Sequence, residues 1–144
     1  LMFTLPGVPL IYSGQEAGLS RSLSFFEKDP IPWQDDKMFL FYKRLAALKQ
    51  RSPALWGRPY GGAYTELKTH NPEIFAFARR KDEHVVLVML NLSYKPVEFD
   101  VNVDDFAGVY KEVFTQKTRP VSPGNRFMLK PWKYLVFETD SFSG

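Results

Sequence analysis

The side chains able to do acid–base, nucleophilic or metal chemistry in this sequence are few and scattered. Cleaving a glycosidic bond needs two carboxyl groups about 5 to 9.5 Å apart on rigid elements, one acting as acid and the other as nucleophile or base. Glu16 is the one acidic residue in such a setting, because it follows an apolar run, Val8 to Tyr12, closed by Ser13-Gly14. Parallel barrels gather their sites at the C-terminal ends of strands like that. Glu27, Asp29, Asp35 and Asp36 read as loop and cap residues, so Glu16 has no second carboxylate to work with. The two histidines, His70 and His84, have no His, Cys or carboxylate at metal-ligand spacing and read as surface residues. Cysteine is absent, which removes disulfides and thiolate chemistry and leaves the compartment open. The serines lack a nucleophile-elbow context and no glycine loop is built to cradle phosphate, so neither a metal nor a cofactor is indicated. Asn91-Leu92-Ser93 matches a glycosylation acceptor, a pattern with meaning only in a secretory setting. Trp56, Tyr60, Tyr64, Trp132 and Tyr134 offer ring faces on which sugars could stack, against the simpler reading that they fill a core or its junction with the helix.

The elements that would position these residues follow from periodicity. Val8 to Tyr12 is a short apolar run between turn signals, the pattern of a strand buried on both faces. Residues 17–34 carry no period and read as a long loop. Met38, Phe41, Leu45 and Leu48 form one stripe, widened by Phe39, Tyr42 and Ala46, which predicts a helix over 36–51. Asp35 or Asp36 would cap its start, Lys49 and Arg51 suit its negative end, and Ser52-Pro53 stops it. Beyond Tyr60 the period becomes that of strands: 63–69, 74–78, 85–90, 97–101, 109–114, 127–129 and 134–138. Lys81-Asp82-Glu83 fits a hairpin connection. Many short strands separated by turns imply an antiparallel sandwich or barrel. The chain has 144 residues, 16% of them aromatic, enough for one ordinary domain or a small domain with an appendage and unlike a disordered chain. Its net charge of +3 lies in residues 1–60, with 8 basic against 5 acidic residues, and no dense basic run marks nucleic-acid binding. No apolar run spans a membrane. Leu1 precedes the first Met and no leader pattern follows, so the start reads as a cut inside a longer protein.

The string Gly7-Val8-Pro9-Leu10-Ile11-Tyr12-Ser13-Gly14-Gln15-Glu16 resembles the segment around the eighth barrel strand of the α-amylase superfamily of glycoside hydrolases, GxPxxxxGxE. Residues 21–33 resemble the loop after that strand. Phe41-Tyr42-Lys43-Arg44-Leu45-Ala46-Ala47-Leu48-Lys49 with Ser52-Pro53-Ala54-Leu55 resembles the last barrel helix. Pro131-Trp132-Lys133-Tyr134-Leu135-Val136-Phe137 resembles the closing strand of the family's C-terminal Greek-key sandwich. The resemblance implies a mainly β fold: residues 1–56 form the terminal β/α unit of a truncated (β/α)8 barrel, and residues 57–144 form the sandwich.

In that family the three catalytic carboxylates lie upstream of the eighth strand, so the resemblance transfers no catalytic residue to this chain, nor the usual calcium site. It implies Arg21 as a candidate sugar contact, and Gly14, Gln15 and Glu16 as supports of the strand end. Three expectations follow. The chain is a C-terminal fragment of an enzyme acting on α-glucans and is itself inactive. Its sandwich has a structural role, with the missing barrel as partner; the isolated fragment then exposes Met38, Phe41 and Leu45 and self-associates through the helix face. The alternative is a non-catalytic carbohydrate-binding module with an α-glucan oligosaccharide as ligand.

Overall fold

The computed structural model describes residues 1–33 and 36–139, without the side chain of Asp36. After an irregular first segment come α1 (Asp36–Arg51) and a 3-10 turn (Pro53–Leu55). Eight strands follow: β1 (Ala63–Glu66), β2 (Ile74–Lys81), β3 (His84–Asn91), β4 (Val97–Asp100), β5 (Gly108–Glu112), β6 (Thr118–Val121), β7 (Arg126–Leu129) and β8 (Tyr134–Thr139). Among the described residues the protein is a mainly β structure, an antiparallel sandwich with one α-helix. Its larger sheet runs β1-β2-β3-β8-β5-β6, and β4 pairs with β7 in the smaller one. The pairings nest, the β5–β6 hairpin inside β4–β7 and that inside β3–β8, so one long ribbon folds across both sheets.

The central strands carry apolar residues at consecutive positions because both faces of the large sheet are covered. Phe77, Val88 and Val136 sit side by side on β2, β3 and β8 and face a cluster with Leu48 of α1, Ala54 and Leu55. The neighbouring row, Ala78, Leu87 and Phe137, faces the core shared with Val97, Phe99, Phe127 and Leu129 of the small sheet. Small residues on β2, Ala76 and Ala78, belong to the same core as the stacked Phe99 and Phe127 rings, so small and large side chains alternate across the layer. On β4 the expected alternation holds, Val97 and Phe99 buried and Glu98 exposed.

The helix occupies the span read from its apolar stripe. The suggested cap residue Asp35 and the side chain of Asp36 lie outside the described residues. Leu45 and Leu48 are buried, Phe41 stacks on Phe114 with ring centroids 5.4 Å apart, and Met38 is half-buried. The large apolar residues left open on α1 are Phe39 and Leu40, so the expected exposure of Met38, Phe41 and Leu45 is corrected: Leu45 is buried and Met38 and Phe41 are partly covered, Phe41 by Phe114 and by Tyr134 of β8. Lys49 and Arg51 leave the helix's own end, Lys49 donating to the Leu55 carbonyl at 2.8 Å and Arg51 pairing with Glu138 of β8 at 2.5 Å.

Two further differences concern strands. Residues 8–12 form no strand among the described residues, and Val8 and Leu10 are exposed. A parallel strand takes its hydrogen bonds from neighbours on both sides, and no described segment lies alongside to supply them. β6, absent from the sequence reading, contains Pro120 and exposed Thr118 and Arg119. It is an edge strand, where a residue lacking an N–H is tolerated.

Candidate functional site

Gly14 holds φ +93° in a tight turn whose carbonyl accepts N–H bonds from Ala17 at 3.1 Å and Leu19 at 2.9 Å. A β-carbon there would lie 2.9 Å from the Leu19 side chain, so turn geometry and close approach both require glycine. Gln15 closes the preceding turn, its Oε1 accepting from the Tyr12 N–H at 3.0 Å. Glu16 points inward from this turn, and its Oε2 is buried without a hydrogen-bond partner among the described residues.

Tyr12, Ser13, Gln15, Leu19 and Arg21 line a cleft of about 430 Å³. The structure thus brings two of the sequence-derived site residues, Gln15 and Arg21, to one opening. Arg21 is committed elsewhere: Nη1 and Nη2 donate to the two carboxylate oxygens of Asp29 at 2.6 and 2.5 Å, and Nη1 also to the Ser22 carbonyl. The Arg21 guanidinium, helped by the Ser24 N–H, holds the Asp29 carboxyl far below the ordinary carboxylate range. Asp29 is thereby kept ionised, the opposite of what a general acid needs.

Sequence reasoning did not single out Arg79. It extends the helix-facing row of β2 beyond Phe75 and Phe77, where an apolar residue would be expected, and it is 2% exposed. Its guanidinium donates to the Thr4 carbonyl at 3.2 Å and to Gly62 at 3.1 and 3.2 Å, with a longer contact to Trp56 at 3.5 Å. Burial lowers its pKa from the usual arginine value. Beside it a cleft of about 310 Å³ opens between loop 56–62 and β1, lined by Trp56, Arg58, Gly61, Gly62 and Tyr64.

The aromatics divide. Tyr134 packs against Phe41 and Phe114 in the core, Trp56 is half-open but bonds Gln50 of α1 at the junction with the helix, and Tyr64 leans on Phe77, whereas Tyr60 and Trp132 are largely exposed, so the core-filling reading is corrected for Tyr60 and Trp132. His70 is exposed beside Asp100, and His84 stands next to Glu83 at the start of β3. Among the described residues no His, Cys, Asp and Glu group could hold a metal, and no helix is long and apolar enough to cross a membrane. Asn91 of the glycosylation pattern is 1% exposed, its Nδ2 donating to the Lys95, Leu129 and Lys130 carbonyls while Oδ1 accepts from Ser93.

Comparison with known proteins agrees with this architecture. An α-amylase of Dictyoglomus thermophilum, α-amylase 2, is 29% identical over 126 residues, covering 78% of this chain and 20% of its own length. A maltogenic α-amylase of Bacillus acidopullulyticus is 23% identical, covering 96% of the chain and 24% of its own length. Among solved structures, a noncanonic maltogenic α-amylase from Thermotoga neapolitana superposes with TM-score 0.77 at 23% identity, over 95% of this chain and 34% of that one. The chain therefore spans less than a quarter of the length of these two curated relatives. Fold and sequence together define the C-terminal part of an α-amylase-family glycoside hydrolase. More narrowly, residues 64–136 match the family described as Maltogenic Amylase, C-terminal domain, and the chain belongs to it.

Proposed function

We propose that this chain closes an α-amylase-type enzyme acting on α-glucans such as starch and maltooligosaccharides, supplies none of its catalytic carboxylates, and stabilises its barrel. The observation that carries this reading is the two-sided character of residues 1–56. One side of α1 is covered by the large sheet through Leu48 and through Phe41 against Tyr134. Facing away are Phe39 and Leu40, and the same segment leaves Val8 89% and Phe26 95% exposed. An apolar run that reads as a buried parallel strand, yet lies open, is what a barrel edge offers to the neighbours that complete it.

The sandwich then acts as a buttress. It fixes α1 by burial, by the Arg51–Glu138 pair and by the bond from Arg44 to the Phe114 carbonyl at 2.8 Å, and α1 in turn would present its outer face to the barrel. Gly14, Gln15 and Glu16 shape the turn after residues 8–12. Arg21, once Asp29 releases it, would be the sugar contact of this loop. The test uses the 144-residue chain alone and the same chain supplied with a separately expressed barrel of a homologous amylase. The expected result is no release of reducing sugar from maltoheptaose by the chain alone, and a rise in the barrel's thermal midpoint on adding it. Turnover by the pure chain, or a barrel indifferent to it, defeats the reading.

A further inference from the structure

Arg58 is the one arginine among the described residues whose guanidinium makes no hydrogen bond, ion pair or ring contact. Arg21 and Asp29 pair, Arg51 and Glu138 pair, Arg126 and Glu98 pair. Arg44, Arg79 and Arg80 donate to backbone carbonyls, and Arg119 lies over the Phe127 ring at 4.9 Å. A free guanidinium on a surface that otherwise engages every other one marks a place where polar ligand atoms could be met. Arg58 lines the 310 Å³ cleft between loop 56–62 and β1, and the same cleft has Trp56 and Tyr64 in its walls, 42% and 38% exposed.

Both rings are held before any ligand arrives. The Trp56 indole N–H donates to the Gln50 carbonyl at 3.1 Å, and Lys81 Nζ stands 5.4 Å from the ring centroid. Tyr64 leans on Phe77 of the core, with ring centroids 5.4 Å apart. Rings fixed in this way lose little freedom on binding, which favours ligands that stack weakly, as the C–H face of a pyranose does. Behind them Arg79 ties Thr4 and Gly62 together, so the cleft floor is rigid. Gly61 and Gly62 let the backbone come close, since a β-carbon on either would strike the Trp56 or Arg80 backbone. Ring faces for C–H groups, with one fork of N–H donors for vicinal hydroxyls, match a neutral sugar.

We propose that this cleft, walled by Trp56 and Tyr64 with Arg58 as its polar arm, binds a short α-linked gluco-oligosaccharide. The choice of α-linkage rests on the reading that the parent enzyme works on α-glucans, whereas the existence of a sugar site rests on the cleft alone. The site needs no catalytic group and would hold substrate chains against the enzyme.

The test is a titration of the 144-residue chain with maltoheptaose, followed by calorimetry and by amide chemical shifts. Saturable binding is expected at sub-millimolar to millimolar sugar, with the largest shifts at Gly57, Gly61, Gly62 and Tyr64. Arg58→Gln, which breaks no hydrogen bond or ion pair among the described residues, is expected to weaken binding about fivefold without moving the unfolding midpoint, and Tyr64→Ala about tenfold. Trp132→Ala, which removes an exposed ring elsewhere, should leave it unchanged. Cellohexaose should bind at least tenfold more weakly; equal binding would overturn the α-linkage while sparing the sugar site. No binding at about 10 mM, or shifts confined to the Tyr12–Arg21 cleft, overturns the proposal. Binding of glucose 6-phosphate but not of maltoheptaose would mean an anion site and overturn it equally.

Discussion

The Asn91 amide sits where β3 leaves the large sheet, and its capacity is spent on three carbonyls and on Ser93. A glycan needs that nitrogen free and exposed, so secretion through a glycosylating host should yield folded chain with an unmodified Asn91 by peptide mass. Asn91→Ala should cost about 3 kcal/mol in urea unfolding, because it strands buried carbonyls. Arg79 follows the same logic at the other end of the sheet. Arg79→Met keeps the stem and removes the donors to Thr4 and Gly62, with an expected loss of about 3 kcal/mol; a loss under about 1 kcal/mol would mean that water reaches those carbonyls. Asp29 gives a pH-dependent case. Its folded pKa is lowered by Arg21, so the pair holds loop 21–29 above the unfolded carboxyl value of about 3.9 and the contribution fades as pH falls below it. Protection of the Ser24 amide should therefore decline from about pH 4 downward, and Arg21→Ala should weaken that dependence, leaving only the part that the Ser24 N–H itself contributes. The candidate positions Gln15 and Arg21 were legible from their place in a recognisable string. Arg79 was not, because a buried arginine is recognised only by the carbonyls that distant segments bring to it.

At the scale of elements, α1 was readable because its stripe repeats at helical spacing and a serine–proline pair ends it. What the stripe could not say is which partner covers it. Leu48→Ala should cost about 3 kcal/mol, since Leu48 is fully buried against Val86, Val88 and Val136, while Phe39→Ser on the opposite face should stay within about 0.5 kcal/mol. Urea midpoints of the two variants separate a helix anchored by the sheet from one merely tethered to it. The central strands β2, β3 and β8 were legible as continuous apolar runs, the mark of a sheet covered on both faces. β6 escaped notice because an edge strand with Pro120 and an exposed arginine lacks alternation, and its place is set by pairing with β5. Residues 8–12 mislead in the other direction. Their pattern is that of a doubly buried strand, and pattern alone carries no information about whether pairing neighbours are at hand.

For the whole molecule, the decisive asymmetry is between a sandwich whose apolar residues are buried in two clusters and a first segment that leaves Val8, Leu10, Tyr12, Phe25, Phe26 and Trp33 open. Scattered apolar residues are ordinary on a surface, but this many in one short stretch of chain exceed what a monomer comfortably shows to water. At about 100 μM the 144-residue chain should sediment as dimers or larger species and brighten an apolar dye, in a manner that salt does not reverse because the contact is not ionic. Replacing Leu10, Phe25 and Phe26 together by serine should restore a monomer. Those side chains bury almost nothing in the folded chain, so the unfolding midpoint should not move, and this separates loss of association from loss of fold. A wild-type chain that is monomeric and dark to the dye would mean that the first segment folds over its own apolar residues. In that event the barrel would have no open face to dock on, and the buttress role would fall with it.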